Sequence, residues 1–233
     1  MTDDVLVYTG LEISIRGPAA EVINQWRRRY DPAYLELEPH ISLAYPPFVP
    51  LEQWELVKPV VMACLAGFEP FRVTLKEVGV FPGDSSQEPN VLWLKPEDGG
   101  VLDRIRQALE KQLPIYVPPM PTPYIPHVTI GFIQGSEALE QAFAQVQAEL
   151  QPLEFTVTEV VYEVDDKGSG QKFIDVIPLL GASPVLGTSP LVGSRARRRP
   201  RSDGKVASRS KNLLARITIP REPSRETGSH AGR

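Results

Sequence analysis

The sequence predicts an α+β protein of two similar lobes, a duplicated fold in which small sheets backed by helices surround a central cleft. Three observations carry this. The segments Pro39-His40-Ile-Ser42-Leu and Pro126-His127-Val-Thr129-Ile match each other residue type for residue type. Strand, helix and histidine strand occur in that order twice. Hydrophobic residues make up 42% of the 233, enough for a sizeable core. On an extended strand, side chains at i and i+2 share a face, so each segment sends one imidazole and one hydroxyl to the same side.

The elements follow in order. Val5 to Ile15 alternates as a strand, and Pro18 to Arg29 has helical periodicity with proline in its first turn. His40 opens a short apolar strand running to Tyr45. Leu51 to Leu65 is again helical in period, and Phe71 to Phe81 and Val91 to Leu94 read as strands around a turn rich in Gly, Asp, Ser and Pro. Gly99 and Gly100 lead into a helix over Val101 to Leu113. A proline-heavy connector, Pro114 to Pro126, delivers the chain to the His127 strand, which reaches Ile133. A helix over Glu137 to Leu150 precedes strands over Phe155 to Val164 and Lys172 to Ile177. Sliding the chain against itself by 87 residues superposes His40 on His127. In this repeat, Phe71-Arg72-Val73-Thr74-Leu75 of the first half is expected to correspond to Phe155-Thr156-Val157-Thr158-Glu159 of the second. Packing about a pseudo-two-fold axis would face the two histidine strands across one cleft.

Composition sets further bounds. Residues 1–180 form the predicted two-lobed domain, and residues 181–233, rich in Gly, Ala, Ser, Pro and Arg without an apolar period, read as a disordered basic tail. That tail holds 12 Lys and Arg against 3 acids, leaving 13 basic and 26 acidic residues in the body. A body of net charge −13 repels a long polyanion and suits a small phosphorylated substrate, whereas the tail can touch nucleic acid. A single cysteine, Cys64, excludes a disulfide framework and is read as core packing. The acidic start Met1-Thr2-Asp3-Asp4 and the lack of a long apolar run lead us to expect a cytoplasmic, monomeric protein with no membrane contact.

The two motifs resemble those of the two-histidine (2H) phosphoesterases, the superfamily that includes 2′-5′ RNA ligase and RNA 2′,3′-cyclic phosphodiesterase. Its mark is one His-x-Thr/Ser-x motif in each lobe of a bilobal duplicated fold, and His40-Ile-Ser42-Leu and His127-Val-Thr129-Ile both fit. The resemblance spans roughly residues 5–180. It implies phosphodiester hydrolysis without metal or cofactor, with 2′-5′ RNA ligation as an accompanying activity. RNA-processing members often carry a basic residue soon after the second motif; here the chain reads Gly131-Phe132-Ile133-Gln134.

The chemistry asks for the same residues. Opening a cyclic phosphodiester requires a base for water, an acid for the departing oxygen and donors for the phosphate oxygens. His40 and His127, with ordinary pKa values near ~6.5, can supply base and acid near neutral pH. The Ser42 and Thr129 hydroxyls can donate to phosphate. The pseudo-symmetry leaves open which histidine is acid and which base. Two histidines fall short of a dedicated zinc site, so no metal is expected. Tyr45, Phe132 and Phe48 are read first as core, with Tyr45 and Phe132 as candidates for stacking on a base. Trp93 is read as core, and Arg27-Arg28-Arg29 as complementing a helix dipole. The substrate class expected is a 2′,3′-cyclic nucleotide or RNA end. A small metabolite cyclic phosphate of the ADP-ribose type is the alternative enzyme substrate, and a non-catalytic nucleotide- or RNA-binding module the alternative from another class.

Overall fold

A computed structural model describes residues 7–83, 88–166 and 171–181. The tail expected beyond residue 181 lies outside the described residues, as does the start of the first strand. The described chain runs β1 (Val7–Ser14), α1 (Gly17–Tyr30), β2 (His40–Ala44), α2 (Leu51–Ala66), β3 (Phe71–Phe81), β4 (Asn90–Glu97), α3 (Val101–Gln112), β5 (Val128–Ile133), α4 (Ser136–Glu149), β6 (Leu153–Val157), β7 (Glu159–Asp166) and β8 (Gln171–Pro178). The periodicity located every helix to within a residue or so of its observed ends.

The strands form two four-stranded antiparallel sheets that exchange members. Sheet A has the order β2-β1-β7-β8 and sheet B the order β5-β4-β3-β6. The two histidine motifs thus belong to edge strands, and these edges, β2 and β5, touch. In sheet A, Leu11, Ile13, Ile41, Leu43, Val160, Tyr162 and Val164 point to the core; in sheet B, Val73, Leu75, Leu92, Leu94, Val128 and Ile130 do. Helices cover these apolar faces. Trp54 of α2 stacks on Tyr162 with ring centroids 3.8 Å apart and donates its indole N–H to Asp175 of β8. Across sheet B, Trp26 of α1 donates to Glu149 of α4, and α1 packs on β5. Gly100 caps α3 at φ 77°, the left-handed region that glycine enters at little cost, while the Asp98 carboxylate accepts the Leu102 N–H.

Two sequence expectations are corrected. The single strand expected over Phe155 to Val164 is two strands broken at Thr158, because the chain leaves sheet B there and enters sheet A. No glycine or proline marks the break, so propensity gave no sign of it. The segments 71–75 and 155–159, expected to be counterparts, are neighbours: Phe71, Val73 and Leu75 pair with Val157, Phe155 and Leu153 of the same sheet. The counterpart of β3 is β7. β3 follows α2, and β7 follows α4 and β6; each joins the sheet opposite the preceding histidine strand and pairs there with the inner strand, β4 for β3 and β1 for β7.

Candidate functional site

Backbone register places the motif side chains. On β2, His40 pairs with Ser14 and Ser42 with Glu12 of β1, and the ladder shifts between Leu11 and Glu12, leaving Leu43 as an extra residue. On β5, Val128 pairs with Leu94 and Thr129 with Trp93 of β4, with the same shift between Leu92 and Trp93 and Ile130 as the extra residue. Both sheets therefore carry one β-bulge at the same place, directly after the hydroxyl of the motif. Cross-strand partners share a face. The inner face of sheet A thus presents His40, Ser42, Glu12, Glu163, Asp165 and Lys172. The corresponding face of sheet B presents Thr129, Trp93, Gly79, Phe81, Val91 and Phe132.

The two imidazoles are fixed alike. Nδ1 of His40 lies 2.8 Å from the Glu38 carbonyl oxygen, and Nδ1 of His127 lies 2.8 Å from the Ile125 carbonyl oxygen. A carbonyl only accepts, so Nδ1 carries the hydrogen in both rings and Nε2 is the atom left to exchange protons. Burial holds both imidazoles below the usual histidine pKa, and the charge of His40 lowers His127 further, which puts the two within electrostatic reach. His40 remains 21% exposed, enough for contact with a solute. Beside it, a cavity of about 260 Å³ is lined by Ser14, Arg16, Tyr34, Glu38, Glu163 and Lys172.

Around each ring the surroundings differ. Glu12 is 1% exposed, and its carboxylate stands 3.8 Å from Nε2 of His40. It accepts a hydrogen bond of 3.2 Å from the Tyr8 hydroxyl and lies within electrostatic reach of Glu163. Burial pushes the Glu12 carboxyl up to about 7, and burial together with the Glu12 charge raises Glu163. His127 instead meets aromatic rings: Phe81 edge-on at 5.0 Å and Trp93 at 6.0 Å, themselves stacked at 4.8 Å. The indole lies against β3, where a Cβ on Gly79 would fall 2.3 Å from a Trp93 ring carbon, so only glycine fits beneath it. Trp93 is buried as expected, but on the histidine-bearing face of sheet B rather than in the helix-covered core.

The remaining candidates sort as follows. Phe48 is core at 3% exposure, whereas Phe132 is exposed on the same face as Thr129. Tyr45 is half-buried against Tyr124, and the Arg106 guanidinium lies 5.9 Å from its ring centroid. Buried Arg106 of α3 also donates to the Leu43 carbonyl at 2.9 Å, and Tyr124 donates to the Ser42 carbonyl at 2.7 Å, so both pin the bulge behind the first motif. Arg27 is not a free helix-end cation; it is buried in an ion pair of 2.8 Å with Asp31. Arg29 pairs with Glu149. Cys64 is half-buried between α2 and α3, near the Ala108 carbonyl. Sequence reasoning passed over Glu12, Glu163, Phe81 and Arg106. The signal for Glu12 was present: a carboxylate within Leu11-Glu12-Ile13 sits on the polar face of an otherwise apolar strand.

Two strand-exchanging sheets, each with a His-x-hydroxyl motif on the edge where they meet, define a two-histidine phosphoesterase. The chain belongs to the 2′-5′ RNA ligase superfamily, whose family profile matches residues 16–168. A protein of Geobacillus kaustophilus (strain HTA426), GK0864, named as a phosphoesterase, is 30% identical over 139 residues, covering 58% of this chain and 73% of that protein. An RNA 2′,3′-cyclic phosphodiesterase of Methanothermobacter thermautotrophicus is 28% identical over 98 residues, 42% of this chain and 52% of that protein. Among solved structures, TT0787 of Thermus thermophilus is similar in fold, with a TM-score of 0.53 at 16% identity over 75% of this chain and 98% of that one. The chain is an enzyme of the phosphoesterase class. Among the described residues no helix is long and apolar enough to cross a membrane.

Proposed function

We propose that this enzyme hydrolyses a cyclic phosphodiester, a 2′,3′-cyclic nucleotide or RNA end, to a phosphomonoester. One imidazole takes a proton from water, the other gives one to the departing ribose oxygen, and the Ser42 and Thr129 hydroxyls donate to the phosphate oxygens. The observation that carries the reading is the matched fixing of Nδ1 on His40 and His127, which leaves an Nε2 on each of two touching strands for proton exchange. The similarity to an RNA 2′,3′-cyclic phosphodiesterase supports the substrate class. An imidazolium supplies the positive charge that a metal ion would otherwise contribute.

The test is turnover of purified protein in EDTA against 2′,3′-cyclic mononucleotides, short RNAs ending in a cyclic phosphate, and an ADP-ribose cyclic phosphate. We expect chelator-resistant hydrolysis, and His40→Ala and His127→Ala each to lower kcat/KM by about 10²–10⁴-fold with the fold intact. Activity that disappears in EDTA and returns with a divalent ion overturns the metal-free reading, and near wild-type turnover in either folded variant overturns the two-histidine one. We assign residues 1–180 to catalysis and residues 181–233 to an electrostatic arm. Deleting 181–233 should leave mononucleotide turnover within about twofold while flattening the salt dependence of oligonucleotide KM.

A further inference from the structure

The two half-sites share a backbone but not their chemistry, and the difference assigns the proton roles that the duplication leaves open. Aligning the two bulges makes Glu12 the counterpart of Trp93 and Glu163 the counterpart of Phe81, since Gly10 pairs with Glu163 as Val91 pairs with Phe81. At each pair of positions flanking the imidazole, one sheet places two carboxyls and the other two aromatic rings. We propose, resting on the hydrolytic reading above, that Glu12 is a positioning residue whose charge favours a proton on Nε2 of His40 over one on His127, making His40 the general acid and His127 the general base.

The geometry supports a counter-ion rather than a proton thief. At 3.8 Å the Glu12 carboxylate is within ion-pair range of Nε2 but beyond hydrogen-bond length, so the N–H is left to point at a leaving oxygen. Glu12 is itself held in place by the Tyr8 hydroxyl. Burial raises both carboxyls and the charge of Glu12 raises Glu163 further, which favours a single negative charge on the pair. With a protonated His40, the three groups hold two protons and are neutral as a set, which suits their burial. The other charges nearby leave this balance in place. Lys172 of β8 acts on Glu163 and stands 3.7 Å from Asp165 of β7, while on His40 itself the charge of Arg27 opposes the proton and those of Glu163 and Asp31 favour it.

His127 has the complementary setting. Phe81 and Trp93 offer no charge, and the charge of His40 disfavours a second imidazolium across the cleft. The imidazole that stays neutral can take a proton from water. The proton inventory closes: water attacks phosphorus as its proton passes to Nε2 of His127, the phosphorus–oxygen bond to the ribose breaks, and that oxygen takes the proton from Nε2 of His40. Between turnovers His127 loses its proton to solvent, and the His40–Glu12–Glu163 set takes one up.

The experiment is an NMR titration of the imidazoles in the full chain, assigned with His40→Ala and His127→Ala, for wild type, Glu12→Gln and Glu12→Asp, together with pH profiles of kcat/KM on a 2′,3′-cyclic mononucleotide. We expect His40 to titrate above His127 in wild type. Glu12→Gln should lower the His40 midpoint by a pH unit or more and leave His127 in place, and Glu12→Asp should restore part of the difference. The alkaline limb of the rate profile, set by the acid, should move down with His40, with kcat falling about 10–100-fold and KM changing less than about threefold. An unmoved His40 midpoint in both variants overturns the assignment, as does movement of the acidic limb instead. The titration needs no substrate, so a protein inert toward every cyclic phosphodiester would sink the hydrolytic reading while the imidazole midpoints still decided the role of Glu12. If Glu12→Gln does not fold, Glu12→Asp and Glu163→Gln carry the same comparison.

Discussion

Around His40 the site is built of carboxyls, and around His127 of aromatic rings, although the backbone beneath the two is nearly a copy. Both motifs sit on edge strands, both are followed by a bulge, and both imidazoles give Nδ1 to the carbonyl two residues upstream. Duplication therefore preserves what fixes the position and tautomer of each ring, and divergence is confined to the side chains that fix its charge. The proposed proton roles then follow, in a chain symmetric in its backbone, from substitutions at two facing positions on each sheet.

Each half has its own support, which lets the halves be perturbed separately. Arg106 is the support of the carboxyl half: it donates to the Leu43 carbonyl of the bulge and to Pro118, pairs with Glu110 at 2.8 Å, and lies over Tyr45 and Tyr124. Arg106→Ala should cost about 2–4 kcal/mol, because it strands a buried carbonyl and a carboxylate at once. Lysine lacks the fork that reaches several acceptors, so Arg106→Lys should recover only part of this. Urea unfolding measures the loss, and the comparison requires the His40 resonances to move further than those of His127. Equal movement of both would mean that the halves are not mechanically separate.

The aromatic half is tested at Gly79. An added Cβ would fall against the Trp93 ring, which also stacks on Phe81 at 4.8 Å. Gly79→Ala should cost about 1–3 kcal/mol by overpacking and shift the His127 resonances rather than those of His40. In a Trp93→Phe background, where the shorter ring gives way, the same substitution should cost measurably less. Additive losses in the double variant would show that the indole is not what Gly79 accommodates.

Much of this was legible in the chain. The helices announced themselves by period and by proline and glycine at their starts, and the matched motifs pointed to His40, Ser42, His127 and Thr129 as candidates. What stayed hidden was relational. The break at Thr158 is set by which sheet each half of the segment joins, a long-range choice with no local mark. Trp93 and Phe81 look like ordinary strand residues until the register turns them toward His127. Arg106 reads as one polar position in an amphipathic helix, yet it is buried because three acceptors converge on it. Glu12 could have been found from sequence by aligning the strands before each motif, where a carboxylate stands against a tryptophan.

The smallest effect separates the two halves by proton linkage. The Glu12 carboxyl, raised from 4.5 to about 7, holds in the fold a proton that the unfolded chain gives up. Its contribution to stability is complete below pH 4.5 and is lost as pH rises toward 7. Both imidazoles work in the opposite sense. Their lowered values mean that the fold binds fewer protons than the unfolded chain near their ordinary pKa of 6.5, so stability rises with pH there. Glu12→Gln removes the falling contribution and keeps the rising one. Between pH 5 and 8 the variant should gain about 1–2 kcal/mol relative to wild type, less than the ~3 kcal/mol of an isolated group, because Glu163 and His40 share the proton. Replacing Phe81, the counterpart of Glu163 in the other half, with leucine should shift both ends of the pH range equally. Urea midpoints at pH 5, 6, 7 and 8 decide it, and parallel curves for wild type and Glu12→Gln would mean that the carboxyl half does not hold the extra proton.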